Sequence, residues 1–262
     1  MSTSRRQRWA NGKRRIQRRL RRSTWELLGF DHGQPMLTAR NIQYEMADRT
    51  RAIAAGGIGV MHRLAWQVGL ADEIDRRVHV LKRHVPYHES DHVLSIAYNV
   101  LAGGRCLEDL ELRRNDEAFL DALGAKRIPD PTTAGDFCRR FGVQSIEALM
   151  TAANEARLRV WRQQPDAFFD RAVIDADGTL APTTGERKEG MNLGYDGTWG
   201  YHPLVVSLAS TQEPLYLVNR SANRPSHEGA AERFDQAVAL CRRAGFRSIL
   251  LRGDTDFSQT RY

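Results

Sequence analysis

The sequence predicts an α+β fold, in which a helical region is followed by strands and one helix in the order β-β-β-α-β. Apolar residues recur at helical spacing from about residue 50 to residue 165. Short apolar runs replace that pattern after Ala167, and two of these runs flank a connection of hairpin length at residues 210–214. We therefore divide the chain into a basic arm and linker (1–49), an N-terminal all-helical domain (50–165) and an α/β region (166–262).

The composition excludes several classes of protein. The chain has 262 residues, of which 41% are hydrophobic and 27% are charged, as in a folded protein with a buried core. Its three cysteines lie far apart without a CxxC pair, which excludes a disulfide scaffold and a cysteine zinc ribbon and favours a reducing cytoplasm. No apolar run approaches the roughly 20 residues that cross a bilayer, so we expect no membrane partner.

Positive charge is concentrated near the N-terminus. The whole chain has a formal charge of +7, but residues 1–22 alone hold ten Arg and Lys residues and no acid, so the rest is slightly acidic. Because a dense run of arginines neutralises phosphates, the arm predicts a nucleic-acid partner, although a solvated tail or an organellar targeting peptide has a similar composition. The arm residues that we assign to DNA contact are Arg5, Arg6, Arg8, Lys13, Arg14, Arg15, Arg18 and Arg19.

Helical periodicity covers four stretches before residue 165. Apolar side chains recur at helical spacing over residues 57–70, 93–101, 107–123 and 146–161. The glycine pair that follows the second stretch is typical of a helix end. These stretches predict a domain built from helices alone, which we assign to DNA binding.

A further helix is predicted between the third and fourth stretches. Thr133 and Asp136 have the spacing of a capping box, which predicts a helix that starts at Phe137. Thr133, Arg139 and Arg140 near such a start would hold a phosphate or enter a DNA groove, and a capped helix with a solvated basic face is the structural alternative. We assign Arg139 and Arg140 to DNA contact.

Four short apolar runs predict the strands, at residues 172–176, 204–209, 215–218 and 249–251. The second and third runs are close enough to form an antiparallel hairpin. An amphipathic helix separates the third run from the fourth, and Gly245 is placed to cap its end. A helix between two strands predicts a parallel crossover to the fourth strand.

Acidic residues follow two of these strands. Alternation at period two places Asp175, Asp177 and Thr179 on one face of the first strand. Asp254 follows the fourth strand, 77 residues after Asp177. Carboxylates at strand ends are costly unless they bind a cation, so the two clusters predict a Mg²⁺ site formed across the sheet, with ordinary solvated turns as the alternative.

The first acidic cluster also supports a different enzyme class. The string DADGTL from Asp175 to Leu180 resembles the first motif of haloacid-dehalogenase-type phosphatases. That resemblance implies Asp175 as the nucleophile, Asp177 as the general acid/base and Asp254 as a metal-binding partner. The phosphatase fold has parallel strands around this motif, whereas the runs here predict a hairpin, so a Mg²⁺-dependent phosphatase stays the alternative.

The pattern as a whole resembles insertion-sequence transposases of the DDE group-1 type, through most of residues 50–262. The segments that carry the resemblance are SDHVL (90–94), AYNVLAGG (97–104), LEDL (107–110), PDPTTAGDF (129–137), GYHPL (200–204) and RGDTDF (252–257).

The resemblance implies an RNase H-like catalytic core and a DNA partner. It places the first catalytic acid at Asp177, with Asp175 as the fallback, and the second at Asp254. These three residues would hold Mg²⁺ or Mn²⁺, and Tyr201 and His202 would lie near the DNA. The implied reaction is hydrolysis at the transposon ends, followed by attack of the freed 3′ hydroxyl on target DNA.

The resemblance also implies a third acid, a Glu on a later helix, which has no counterpart before Tyr262. We therefore expect an N-terminal fragment with an incomplete RNase H-like α/β core, either inactive or limited to DNA binding. A non-catalytic repressor that occupies transposon ends is a further alternative. The intact protein is expected to form a homo-oligomer on DNA in the cytoplasm.

Overall fold

The structure is a computed structural model, and it describes residues 53–82, 84, 86–185, 188–254 and 257. The chain divides into two units, Met1–Thr50 and Arg51–Tyr262. The first unit, with all the arm residues assigned to DNA contact, lies outside the described residues. Within the ranges described, no helix is both long and apolar enough to cross a membrane.

Helices form the first part of the described chain, as the apolar spacing predicts. The first helix ends near Gly69, as predicted, because the φ of 66° at this glycine is left-handed and ends the helical path, and the helix that follows it was not predicted. The α-helices are α1 (Ile58–Gln67), α2 (Leu70–Arg77), α3 (Glu89–Leu101), α4 (Leu110–Arg114), α5 (Glu117–Ala122), α6 (Pro131–Cys138) and α7 (Val143–Trp161), with 3₁₀ turns at Leu107–Asp109 and Asp166–Phe169.

The prediction of a helix that starts at Phe137 is wrong, because Phe137 lies near the end of α6. The Asp130 carboxylate caps this helix by accepting from the Thr133 backbone N–H at 2.9 Å and from the Thr133 hydroxyl at 2.8 Å. Pro131 occupies the first helical position, where a missing N–H costs nothing. Arg139 and Arg140 therefore follow the carboxyl end of α6 and are not at a helix start.

A buried ion cluster joins α2 to α7. Ile74 and Ala152 pack between the two helices and are fully buried. Beside them, the Glu73 carboxylate, 2% exposed, accepts hydrogen bonds from Arg76 and Arg77 of α2 and from Arg159 of α7. Burial alone would raise the pKa of Glu73, but these three guanidinium groups outweigh it and lower the pKa to about 2. Glu73 is therefore a charged link between the two helices.

Strands and one helix form the second part. The strands are β1 (Arg171–Gly178), β2 (Ala181–Pro182), β3 (Asn192–Leu193), β4 (Trp199–Tyr201), β5 (Leu204–Leu208), β6 (Glu213–Val218) and β7 (Ser248–Arg252), and helix α8 (Ala230–Ala244) precedes β7. The main sheet has the order β6-β5-β1-β7. β5 is antiparallel to both β1 and β6, whereas β7 is parallel to β1. The predicted hairpin and the predicted parallel crossover through α8 are both confirmed, and the fold is α+β.

One face of the main sheet carries the core. Residues of β1 and β5 alternate in burial, so that every second side chain is removed from water. This face packs against α8 and against the carboxyl end of α7, where Trp161 is 2% exposed. The buried residues of β1 and β5 are Ala172, Ile174, Ala176, Leu204, Val206 and Leu208. Burial of this face leaves the alternate residues of β1, including both aspartates, on the opposite face.

A second sheet, of order β2-β4-β3, was not predicted from the sequence. Its strands have two or three residues each, too few to show an apolar alternation. It lies between β1 and β5 in the chain, and the backbone of Gly200 approaches Ala181 so closely that a Cβ would clash there. This sheet connects the end of β1 to the start of β5.

Candidate active site

The two aspartates of β1 lie on the sheet face away from the core. Ala172, Ile174 and Ala176 are buried, whereas Asp175 is half-buried and Asp177 is exposed. The predicted alternation is therefore present in the structure. Within the described ranges, no side chain bonds the carboxylate of Asp177. This carboxylate is available to a ligand at the carboxyl end of β1.

The register between β1 and β7 brings the second acidic cluster to the same edge. The last pair in the parallel ladder is Asp175 opposite Arg252. The offset of 77 residues in that pair is also the separation between Asp177 and Asp254, two residues further along each segment. The ladder ends at Arg252, and Asp254 follows two residues later, beyond the carboxyl end of β7. Asp254 is exposed, and its backbone carbonyl accepts from the Phe257 N–H at 3.2 Å.

Asp175 is engaged by an arginine. Arg252 Nε donates to one carboxylate oxygen of Asp175 at 2.7 Å, and its terminal nitrogen donates to the other at 2.6 Å. Donation to this carboxylate, together with its negative charge, raises the pKa of Arg252. Such a bidentate pair fixes geometry as well as charge, so it holds the ends of β1 and β7 in register. The same pair engages both oxygens of Asp175 and neutralises its charge, which makes this carboxylate a poorer metal ligand or nucleophile than an unpaired one.

A buried histidine supports the end of β1. His202 is 7% exposed, and its Nδ1 donates to the carbonyl of Arg224 at 2.8 Å. The other edge of the ring faces Gly178, where an added Cβ would lie 2.7 Å from the ring Cε1 and 3.1 Å from Ser226 Oγ. Glycine is thus required directly after Asp177 because the histidine ring fills the space of a side chain.

Arg220 binds the loop around this histidine. The sequence analysis did not predict a role for this arginine. Its Nε donates to the carbonyl of His202 at 3.0 Å, and one terminal nitrogen donates to the carbonyls of Pro225, Ser226 and Glu228. In return, the His202 N–H donates to the Arg220 carbonyl at 2.7 Å. Burial lowers the pKa of Arg220. No motif marks this arginine, since its partners are all backbone carbonyls of one folded loop.

Tyr201 also has a structural partner. Its hydroxyl donates to the carbonyl of Glu189 at 2.7 Å, and Ser221 Oγ donates to the neighbouring carbonyl of Gly190 at 2.6 Å. These bonds attach the segment after β2 to the β4 edge. The Tyr201 hydroxyl and His202 Nδ1 are thus bonded to the protein's own backbone, and the assignment of both residues to the vicinity of DNA stays a prediction.

The remaining predicted DNA contacts lie apart from this edge. Arg139 and Arg140 are exposed at the carboxyl end of α6, in the helical part. One guanidinium nitrogen of Arg139 donates to Asp136 at 2.6 Å. Exposed ion pairs of this kind are weak, so both arginines stay accessible to phosphate.

The donor set can be tested against a divalent cation. Within the ranges that the structure describes, no group of three or more His, Cys, Asp or Glu side chains is placed to hold a metal ion. Two exposed carboxylates at one sheet edge nevertheless suit Mg²⁺, which keeps several waters and commonly takes one or two carboxylates together with substrate phosphates. Asp177 and Asp254 fit that pattern, and Asp175, bonded to Arg252, does not.

Strand direction argues against the phosphatase alternative. That fold requires parallel strands around the first motif, whereas β5 runs antiparallel to β1 through Asp175 and Asp177. The Asp175 carboxylate, the nucleophile in that interpretation, is paired with Arg252. Both observations instead agree with the predicted strand order of a transposase core.

Comparison with known proteins identifies the family. A family model described as transposase DDE domain, group 1, matches residues 35–262. Neither the curated proteins nor the solved structures contain a match to this chain. The family match spans most of the chain and includes both acidic clusters and the whole main sheet. The chain belongs to the DDE group 1 family of transposase domains.

Proposed function

We propose that this chain carries a site for metal-dependent DNA strand cleavage and strand transfer, in which Asp177 and Asp254 are the catalytic acids. The observation that supports this assignment most strongly is the parallel register of β1 and β7. Its offset of 77 residues, continued two residues beyond the last pair of the ladder, would bring both carboxylates to one edge of the sheet. Membership of a transposase family makes DNA the partner.

The two carboxylates would bind Mg²⁺ or Mn²⁺ through oxygen, the ligand that both ions prefer. Transposase domains of this family generally use divalent metal ions. A bound ion would supply activation of the attacking oxygen and stabilisation of the leaving oxygen. Asp177 and Asp254 would hold the ion at the carboxyl end of β1, because without it the two negative carboxylates would repel the scissile phosphate.

Other residues at the edge would position these acids. Arg252 neutralises Asp175 and ties the two strand ends together, so we assign Asp175 a positioning role and not a metal-binding one. His202 and Gly178 fix the backbone that follows Asp177. Tyr201 supports the neighbouring strand. Positioning by buried partners is what an active site needs, because small displacements of a catalytic group reduce the rate strongly.

The basic surfaces would bind DNA outside the site. The N-terminal arm is proposed to neutralise phosphates without reading sequence, and Arg139 and Arg140 to extend that contact on the helical part. The helical residues 50–165 would form the DNA-binding domain. A homo-oligomer in the cytoplasm is proposed for the intact protein.

We expect strand cleavage by this chain to be slow. The resemblance implies three acids, and the proposed site has two of them, Asp177 and Asp254. With two carboxylates, the coordination of an ion would depend on water and on the DNA phosphate. DNA binding does not depend on the third acid and would be retained.

The proposal is tested by incubating the 262-residue chain with supercoiled plasmid at low salt, with Mg²⁺ or with EDTA. We expect binding that weakens as salt increases, together with slow nicking that requires Mg²⁺. Binding without nicking at any Mg²⁺ concentration would favour the non-catalytic repressor and contradict a catalytic site. Hydrolysis of a phosphate monoester that is lost in Asp175→Asn would instead establish the phosphatase.

A further inference from the structure

A cavity of about 520 Å³ lies in the helical part, far in sequence from the two aspartates. Helices α1 and α3 form two of its walls, and the segment from Leu123 to Pro129 forms a third. The cavity is open on one side to solvent and has a mixed polar and apolar lining. A pocket with few polar groups among apolar and aromatic walls is typical of a ligand site.

Aromatic rings dominate one side of this cavity. Trp66 of α1 is 55% exposed, an unusual state for so large an apolar ring. The ring of His62 packs edge-on against Trp66 and against Tyr98, with centroids 6.3 and 5.6 Å away. His62 Nδ1 also lies 3.0 Å from the Tyr98 hydroxyl. His62 thus contacts Trp66, and more than half of the Trp66 surface stays exposed for contact with a planar ligand.

Two cationic side chains also line the cavity. Lys126 and Arg127 both line the cavity and both are exposed. The Arg127 guanidinium lies 5.8 Å from the centre of the Tyr87 ring, and the Tyr87 hydroxyl donates to the Ile128 carbonyl at 3.0 Å. The cations are thus carried on a segment that is fixed to the cavity wall.

Polar side chains complete the lining. Ser90 and Ser95 of α3 line the cavity and are buried, and Asp91 lies beside them. The Ser90 hydroxyl donates to Asp75 at 2.8 Å, and one Asp91 oxygen accepts from the His88 N–H at 2.9 Å, so Ser95 and the other Asp91 oxygen are the groups that a ligand can bond. Hydroxyl and carboxylate groups can bond the polar edge of a base, and an aromatic face stacks on any base. The cavity therefore has a partner for each part of a nucleotide within a strand. Trp66 suits the face of the base, the polar side chains suit the edge of the base, and Lys126 and Arg127 suit the phosphates.

We propose that this cavity binds one unpaired nucleobase of a DNA strand, stacked on Trp66, with the adjacent phosphates on Lys126 and Arg127. DNA is the source that the observations favour, because the two cations suit a backbone with a phosphate on either side of the base. The proposal requires DNA as partner but not the metal site of Asp177 and Asp254. Its failure is therefore distinguishable from failure of the catalytic proposal.

The test compares binding of the full chain to two duplexes by fluorescence anisotropy in the absence of metal. One duplex is fully paired, and the other carries a single unpaired adenine. We expect the second to bind about tenfold more tightly, since stacking of one base is worth about that factor. Trp66→Ala should remove this preference without weakening binding to the paired duplex, and Trp66→Phe should retain most of it.

Two further variants complete the design. Val60→Ala, an exposed position on the same helix outside the cavity, should leave the preference unchanged. Lys126→Ala should weaken binding to DNA. It should also reduce by about one the number of counterions released on binding, which is obtained from the salt dependence of the affinity. Equal affinity for the two duplexes would overturn the proposal, as would a preference that survives Trp66→Ala. Competition by free deoxyadenosine monophosphate without any preference for the unpaired base would overturn it in favour of a free nucleotide.

Discussion

Replacing Asp177 or Asp254 by Asn is expected to weaken Mn²⁺ binding by at least about tenfold. Each change keeps the size of the side chain and removes the negative charge that would hold the ion. Loss of an outer-shell partner already costs ten- to a hundredfold in metal affinity, and a direct ligand should cost no less. The two residues contribute to one site, so either substitution alone should have nearly the full effect.

The measurement is a Mn²⁺ titration followed by calorimetry, with and without a short DNA duplex. Addition of DNA should tighten the binding, because phosphate oxygens complete the coordination of the ion. Asp196→Asn is the matched control: Asp196 is exposed in a turn of the second sheet, where its carboxylate accepts from Thr198. Unaltered affinity in Asp177→Asn, or an equal loss in the control, would contradict the assignment.

Replacing Glu73 by Gln is expected to lower the free energy of unfolding by about 2 kcal/mol at pH 7. Removing one partner of a buried ion pair typically costs 3–5 kcal/mol, and the estimate here is smaller because the arginines are partly exposed. The change would leave Arg159 without its anionic partner between α2 and α7. Urea denaturation of the variant and the parent protein measures the difference.

Glu73→Gln should also reduce the dependence of the free energy of unfolding on pH in the acid range. The pKa of Glu73 is lowered to about 2 in the folded state, below its ordinary value of about 4.5. Stability from this group is therefore fully present above about pH 5 and is lost as the pH falls towards about 2. The Glu73→Gln variant has no carboxyl group at this position, so it should not show this loss of stability between about pH 5 and about pH 2.

Glu111→Gln provides the comparison for this prediction. Glu111 pairs with Arg114 three residues later on the surface of α4, and both side chains are well exposed. An exposed pair of this kind contributes less than about 0.5 kcal/mol. If the two substitutions cost the same free energy, the cluster around Glu73 is not the link between α2 and α7 that its geometry indicates.

Much of the fold could be predicted because apolar periodicity reports directly on burial. The four strands of the main sheet and the long helices α3, α7 and α8 all have such a pattern, and Gly245 ends α8 with a φ of 104° as expected. Local polar signals were less reliable. Thr133, with Asp136 three residues later, was predicted to cap this helix, whereas Asp130 is the N-cap and the proline next to it occupies the first helical position.

The sequence predicts only that part of the site which lies on a single strand. Alternation places Asp175 and Asp177 on one face, but it cannot rank them as ligands. That distinction comes from Arg252, which lies on another strand and reaches Asp175 through the register of a parallel pair. The support from His202 and Arg220 has the same origin, since it depends on backbone carbonyls that only the folded loop brings together.

The most direct test of the central claim is iron-directed cleavage of the polypeptide. Fe²⁺ in place of Mg²⁺, with ascorbate and peroxide, generates radicals that cut the backbone next to the bound ion. If Asp177 and Asp254 share one ion, mass spectrometry should detect cuts near both residues, increasing together with Fe²⁺, and Asp177→Asn should abolish both. Cleavage near one residue alone, or cleavage near Asp254 that survives Asp177→Asn, would contradict a shared site.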